Sequence, residues 1–308
     1  MLTGISFMCF AASYAVSLAL EVARFFTRLR ILTVLAIAMS AAGLLAHTVY
    51  LYNHVQHGVH AGQPFASWHH WCLLAAWFLA AIYVGLAPAN PKTALGLFML
   101  PMILLAVTIA YPFRDVAPFA SSERYWGAAH GMLLLAGSVV VMLGFISGVM
   151  YLVQSYRLKH KLPPRQGLRL PSLEWLQRFN SRAMIFSTSL LGAGLLAGIL
   201  LNLSQGLVPW TEPTICISGL LLAWLVIAAM VEIFYKPARQ GAKVAYLTVA
   251  SFVFLVIVLL VAMFGPTQHA GATGAVQAGK PHLASHASNP APGIPHPASC
   301  IRPIGGGS

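Results

Sequence analysis

Long apolar runs separated by short polar stretches repeat along the whole chain. Each run is close to the roughly 20 residues that a helix needs to cross the hydrocarbon core of a bilayer. The runs cover, approximately, residues 2–22, 31–52, 68–88, 94–112, 126–156, 183–203, 215–235 and 244–264. Because every backbone N–H and C=O in lipid needs an internal partner, helices are the expected form. The pattern predicts an all-α, polytopic membrane bundle of about eight transmembrane helices over residues 1–264.

Two segments outside these runs have a different character. The largest loop, 157–182, contains three prolines, and from Ser172 its apolar residues have helical spacing up to Arg182. This pattern predicts a short amphipathic helix that lies at the membrane interface before the sixth span. The tail, 265–308, is rich in Ala, Gly, Pro, Ser and His, with few large apolar residues. We therefore expect a disordered tail outside the membrane.

The composition supports a membrane location and excludes a nucleic-acid partner. Hydrophobic residues make up 58% of the 308 residues and charged residues only 8%, whereas soluble domains have about 25% charged residues. The formal net charge is +12, but the basic residues lie in short loops between apolar runs. Membrane topology explains such a placement, so we expect no binding of nucleic acid.

The distribution of lysine and arginine predicts the orientation. When the loops are taken alternately, one set holds 14 of the 18 basic residues. Cytoplasmic loops carry an excess of Lys and Arg, so this set is assigned to the cytoplasm. An even number of spans then places both termini on the outer face. We expect a multi-pass protein of the inner (cytoplasmic) membrane.

The histidines are strongly biased towards one face. With the predicted topology, 11 of the 12 histidines are on the outer side and only His160 is cytoplasmic. The outer histidines within the bundle region are His47 in the second run, His54, His57 and His60 in the loop that follows, His69 and His70 at the start of the third run, and His130 at the start of the fifth. The three loop histidines are expected to be solvated. His47 is the exception, because an ionisable side chain within a span usually faces the bundle interior.

Imidazole is the common axial ligand of haem iron and also binds zinc and copper. His130 and His269 are far apart in sequence, and each lies at an outer helix end, which fits a haem clamp better than a zinc site with closely spaced ligands. Trp126 and Trp210 are expected near the same face and could stack on a porphyrin, although Trp is enriched at any membrane interface. No CxxCH site is present, so covalent haem is not expected.

Several segments in the second half of the chain resemble the cytochrome c assembly membrane proteins of the CcsA/CcmC type, over about residues 126–270. The closest likeness is to the HemX- and YpjD-like branch. The first segment is a long helix that begins at Trp126 and His130 and ends in Gln154 and a basic turn. The others are Leu170-Pro171-Ser172-Leu173-Glu174, Trp210-Thr211-Glu212-Pro213 before the seventh span, Ala223-Trp224, and Gln240-Gly241-Ala242-Lys243.

The resemblance implies a haem-handling protein of cytochrome c maturation, of the system II kind. His130 and His269 would correspond to the two outer histidines that ligate non-covalent haem b, and His47 to the first intramembrane histidine. The implied partners are haem, apocytochrome c, a second cytochrome c assembly membrane protein and the lipid bilayer. No nucleophile motif is present, so the chain is expected not to be an enzyme by itself. At most it would be the haem-handling part of a haem lyase.

Two departures from the family pattern leave alternatives open. The tryptophan-rich segment is reduced to one Trp with Glu212 in place of Asp, and Glu232 stands where a second intramembrane histidine is expected. These departures favour a HemX-like accessory or regulatory protein without a productive haem site. A third reading is a transporter for a metal or small solute, which would need polar groups throughout the membrane. A quinone-linked b-type cytochrome would need paired intramembrane histidines, and only His47 is available.

Overall fold

The structure is a computed structural model that describes residues 7–27, 29–60, 67–91, 93–113, 124–161, 170–204, 213–234 and 242–264. Within these residues it contains helices and no strand. The α-helices are α1 Phe7–Phe26, α2 Arg30–His60, α3 Trp68–Leu86, α4 Leu95–Ala110, α5 Arg124–Lys159, α6 Leu173–Ser204, α7 Pro213–Phe234 and α8 Ala242–Phe264. A single 3₁₀ turn, Tyr111–Phe113, extends α4.

The described residues confirm the all-helical class, and several of their helices are long and apolar enough to cross a membrane. Seven of the helices contain an apolar stretch of at least 18 residues, which is long enough to cross a bilayer. In α7 the apolar stretch described is shorter, Ile215–Val231. The predicted tail lies outside the described residues.

The helices pack in two groups of four. In the first group, α1 packs against α2 and α4, and α3 also packs against α2 and α4. In the second group, α5 packs against α6 and α8, and α7 also packs against α6 and α8. Contacts of α5 with α3 and α4 join the two groups.

The antiparallel pair α5 and α6 forms the most extensive helix contact. Gly137 lies against Leu191, and a Cβ atom added to Gly137 would stand 2.6 Å from Cγ of that leucine. Further along, the Ser147 hydroxyl hydrogen-bonds to the side-chain oxygen of Asn180. Small residues at such a crossing let the two backbones approach closely. The same register brings the first turns of α5 opposite the last turns of α6.

Two predicted boundaries are wrong, and for the same physical reason. The loop expected to hold His54 is the last part of α2, which continues to His60. The interfacial helix expected to end at Arg182 is instead the first part of α6, one continuous helix of 32 residues. Neither the end of the second apolar run nor the stretch between Leu173 and Leu191 contains a proline or glycine that would stop a helix.

Glu21 is a buried carboxylate at the end of the bundle opposite to most of the histidines. It is 4% exposed and pairs with Arg24, with 3.0 Å between Oε2 and Nη2. The Arg24 guanidinium also donates to the carbonyl oxygens of Pro91 and Thr93, at 3.1 and 2.9 Å. Tyr83 donates its hydroxyl to Glu21 at 3.3 Å. This network therefore connects α1 and α3 with the turn before α4.

Candidate functional site

Most described histidines lie at one end of the bundle, where α1, α3 and α5 begin and α2, α4 and α6 end. We call this the histidine end. It holds two separate centres. The first, the four-histidine cluster, belongs to the first helix group and consists of His47, His54, His69 and His70. The second centre is His130, which belongs to the α5–α6 pair.

The side chain of His47 is fully buried and is packed tightly against α1. Its ring stacks on Phe10 of α1, with 4.3 Å between ring centroids and 4° between ring planes. Its Nδ1 lies 3.4 Å from the hydroxyl of Tyr14. Its Nε2 is buried and has no hydrogen-bond partner among the described residues. The sequence-based prediction that His47 faces the bundle interior is confirmed.

Tyr50 connects two further histidines of the cluster. Its hydroxyl lies 3.2 Å from Nε2 of His69 and 3.4 Å from Nε2 of His54. Nδ1 of His69 lies 2.9 Å from the carbonyl oxygen of Ala110, at the end of α4. A neutral His69 that donates from Nδ1 to this carbonyl accepts the Tyr50 hydroxyl at Nε2. The network therefore ties α2, α3 and α4 together inside the first helix group.

His54, His69 and His70 form a triangle of imidazole rings. Their centroids are 5.6 Å apart for His54 and His70, 5.8 Å for His69 and His70, and 6.0 Å for His54 and His69. His70 is held by Ser67, with 2.6 Å between Nδ1 and Oγ. Despite this proximity, the described residues contain no group of three ligand side chains that could hold one metal ion.

His130 occupies a notch on the surface of α6. Its Nδ1 lies 2.7 Å from the carbonyl oxygen of Gly194. One turn further, a Cβ atom added to Gly198 would stand 2.7 Å from both Nδ1 and Cε1 of the ring. Real Cβ atoms do not come so close, so the ring needs a glycine at this position. Nδ1–H donates to a carbonyl, which leaves Nε2 of a neutral imidazole with the lone pair.

Trp71 of α3 joins the two centres. A Cβ atom added to Gly131 of α5 would stand 2.5 Å from Cη2 of this tryptophan. His69 and His70 precede Trp71 on α3, and His130 precedes Gly131 on α5. The tertiary structure therefore brings His130 and the four-histidine cluster to the same end of the molecule, with Trp71 at the contact between their helices.

The predicted site residues differ in how well they fit a porphyrin. The hydrogen bond of His130 to Gly194 is the arrangement that fixes the tautomer of a ligating histidine and directs the other nitrogen to the metal. His130 therefore has the tautomer that an axial ligand needs, and its Nε2 lies beside α6, 3.4 Å from where a Cβ atom on Gly198 would stand. His47 does not fit in this arrangement, because Phe10 covers its ring and its side chain is enclosed by α1. A porphyrin could reach His47 only if α1 moved away.

Several other residues that the sequence analysis singled out are outside the described residues. These are His269 and Trp210, together with Glu212 of the reduced tryptophan segment. Trp126 and Glu232 lie on α5 and α7, but their side chains are not among those described. Their roles stay predictions from the resemblance.

No family model matches the chain, and no curated protein or solved structure is significantly similar to it. The resemblance to the cytochrome c assembly proteins therefore remains a prediction from the residues quoted above.

Several residues of these centres were not singled out from the sequence. Gly194 and Gly198 form a GxxxG pattern, which is a known signal for close helix packing, so the notch could have been found. Tyr14, Tyr50 and Trp71 are aromatic residues within apolar runs. Nothing in their spacing distinguishes them from ordinary core residues. Only tertiary packing reveals that Tyr14 and Tyr50 contact histidines and that Trp71 lies against Gly131.

Proposed function

We propose that the chain is an inner-membrane protein with eight spans and both termini on the outer face. The seven helices of sufficient length support the multi-pass class. The alternation of basic loops favours an even count, which makes α7 the remaining span. The α7 helix is 22 residues long, which matches the thickness of the hydrocarbon core. In this orientation the histidine end faces outwards.

We further propose that the protein handles haem during cytochrome c maturation. The observation that carries this proposal is the hydrogen bond between Nδ1 of His130 and the carbonyl of Gly194. It holds the ring in one tautomer, with the lone pair on Nε2, the nitrogen that would ligate iron at the outward end of a long helix. Non-covalent haem b would supply the iron that this nitrogen ligates.

The resemblance supplies the rest of the proposal. His269 would be the second axial ligand, and Trp126 and Trp210 would lie against the porphyrin. The chain would orient haem for apocytochrome c beside a second membrane protein of the same process. The residues that react with haem belong to apocytochrome, so this chain needs no nucleophile of its own.

A HemX-like accessory protein without a productive haem site is the second candidate. The closed packing of His47 against Phe10 favours it, because this packing leaves no space for an intramembrane haem. The reduced tryptophan segment and Glu232 favour it as well. The two candidates share a fold and differ in whether His130 binds haem.

The optical spectrum of protein purified from haem-replete cells separates these candidates. Wild type is expected to show a Soret band and a reduced α-band, and His130→Ala and His269→Ala are expected to lose them. His160→Ala is the matched control, because His160 is exposed and lies at the opposite end of α5. A colourless wild type, even after haem is added, would contradict haem handling and favour the accessory role.

A further inference from the structure

The outward face of α6 carries a stripe of aromatic and basic residues that the described residues of the other helices do not cover. Trp175, Arg178, Arg182 and Phe186 follow one another at intervals of three, four and four residues, which places them on one face of an α-helix. We call these four residues the α6 stripe. The opposite face of α6 is buried against the bundle at Leu176, Ala183 and Met184.

Along α6, the residues of the stripe change from an interfacial aromatic residue through two basic residues to an apolar residue. The parts of a phospholipid follow one another in a matching order, from headgroup and phosphate to acyl chain. Trp175, in the first turn, is 44% exposed and stacks on Phe179, with 5.3 Å between ring centroids. The two arginines follow, and both are exposed. Phe186, one turn deeper into the apolar part of α6, is 62% exposed. Tryptophan favours the membrane–water interface, and exposed phenylalanine deeper in a span faces the acyl chains.

The helix start that presents this stripe is held in place. The Ser172 hydroxyl accepts a hydrogen bond from the backbone N–H of Trp175, at 3.3 Å. Leu176 is fully buried in the core that also contains Tyr151. Because both contacts fix the rotation of α6 about its axis, the direction in which the arginines point is determined by the fold.

The charge of the stripe is positive. Glu174 pairs with Arg178, with 2.9 Å between Oε1 and Nη2, and is the acidic residue of the first turn of α6. No carboxylate among the described residues pairs with Arg182. Lys159 and Lys161 are exposed at the end of α5, on the same side of the bundle. An anion is therefore the complementary ligand.

We propose that the α6 stripe binds an anionic phospholipid from the leaflet on this side. Arg182 and Arg178 bind the phosphate, for which the planar guanidinium provides paired donors. Trp175 contacts the headgroup region, and Phe186 contacts an acyl chain. An acidic protein segment would match the arginines but not the exposed Phe186 within the span. The inference is independent of haem and of the function proposed above.

The test uses the full-length protein reconstituted in bilayers that contain trace spin-labelled phosphatidylglycerol or phosphatidylcholine. Electron paramagnetic resonance gives the relative association of each lipid with the protein. Wild type is expected to prefer phosphatidylglycerol. Arg182→Gln and Arg178→Gln are each expected to lower this preference by up to about fivefold, since a basic residue near a membrane surface contributes about that factor. The double variant should bind both lipids about equally.

Matched variants decide between a site and a general charge effect. Lys161→Gln removes the same charge from a residue that is not on α6, so it should lower the preference by less than Arg182→Gln does. Arg182→Lys keeps the charge but loses the paired guanidinium donors, so it should lower the preference, by less than Arg182→Gln does. Millimolar inorganic phosphate should not displace the labelled lipid, since phosphate cannot contact Phe186.

Several outcomes would overturn the proposal. These are equal association of both lipids with wild type, an unchanged preference in the double variant, an effect of Lys161→Gln as large as that of Arg182→Gln, or displacement of the lipid by phosphate. Binding of an acidic protein to the same arginines without a lipid preference would also overturn it. The helical content of each variant, measured by circular dichroism, shows whether it is folded.

Discussion

His130 donates from Nδ1 to the carbonyl oxygen of Gly194 over 2.7 Å, across the contact between α5 and α6. The ring reaches this carbonyl because Gly198, one turn further along α6, has no side chain to exclude it. The relationship combines two roles. It packs two long helices closely, and it holds one tautomer of an imidazole at the histidine end.

Gly198→Ala is expected to displace the His130 ring and to destabilise the protein. The added Cβ atom would stand 2.7 Å from Nδ1 and Cε1 of the ring, and overpacking of this kind costs about 1–3 kcal/mol. Gly192→Ala is the control on the same helix, because its Cβ atom would meet only Leu222, at 3.5 Å. Equilibrium unfolding in mixed detergent micelles measures the free energy of unfolding of both variants. Equal stability of the two variants would contradict the claim that the His130 ring needs a glycine at position 198.

Arg24→Ala is expected to lower the free energy of unfolding by about 3–5 kcal/mol, because it leaves Glu21 as a buried charge without its partner. Arg178→Ala removes an ion pair of similar length, 2.9 Å against 3.0 Å. Arg178 and Glu174 are largely exposed, so that loss should be less than about 1 kcal/mol. The comparison uses the same unfolding assay. Similar losses would show that burial of the Glu21–Arg24 pair has no energetic consequence.

Tyr50→Phe is expected to destabilise the first helix group by about 1–3 kcal/mol. It keeps the aromatic ring but leaves the buried Nε2 of His69 without the hydroxyl it contacts at 3.2 Å. Tyr52→Phe, two residues further along α2, removes a hydroxyl from an exposed side chain. It should change stability by less than about 0.5 kcal/mol. Thermal unfolding, followed by circular dichroism at matched protein concentration, shows which of the two variants is less stable. A Tyr52→Phe variant that is as unstable as Tyr50→Phe would contradict the prediction.

His47→Leu is expected to leave the optical spectrum of haem-loaded protein unchanged. His47 is stacked on Phe10 and enclosed, so it is not placed to ligate a porphyrin. His130→Ala is expected to abolish the same spectrum. Loss of part of the reduced α-band in His47→Leu would show that α1 moves away and that the intramembrane histidine binds a second haem.

The sequence by itself determined the helical class of this protein and the approximate position of each long apolar helix. Apolar runs of the length of a bilayer leave no alternative to helices, since lipid offers no partners for backbone polar groups. The sequence also indicated that His47 faces the interior, because the cost of a polar group in lipid does not depend on which helix covers it. Helix ends were less well predicted, because α2 and α6 continue where no proline or glycine stops them.

Only the tertiary structure decided which side chains meet. Helical periodicity gives the face on which a residue lies, but not the helix against which that face packs. The contact of Tyr50 with His69, the enclosure of His47 by α1 and the hydrogen bonds of Arg24 to the turn before α4 all depend on the order of helices in the first group. The notch for His130 depends on the register between α5 and α6, which places its ring beside Gly194 and Gly198.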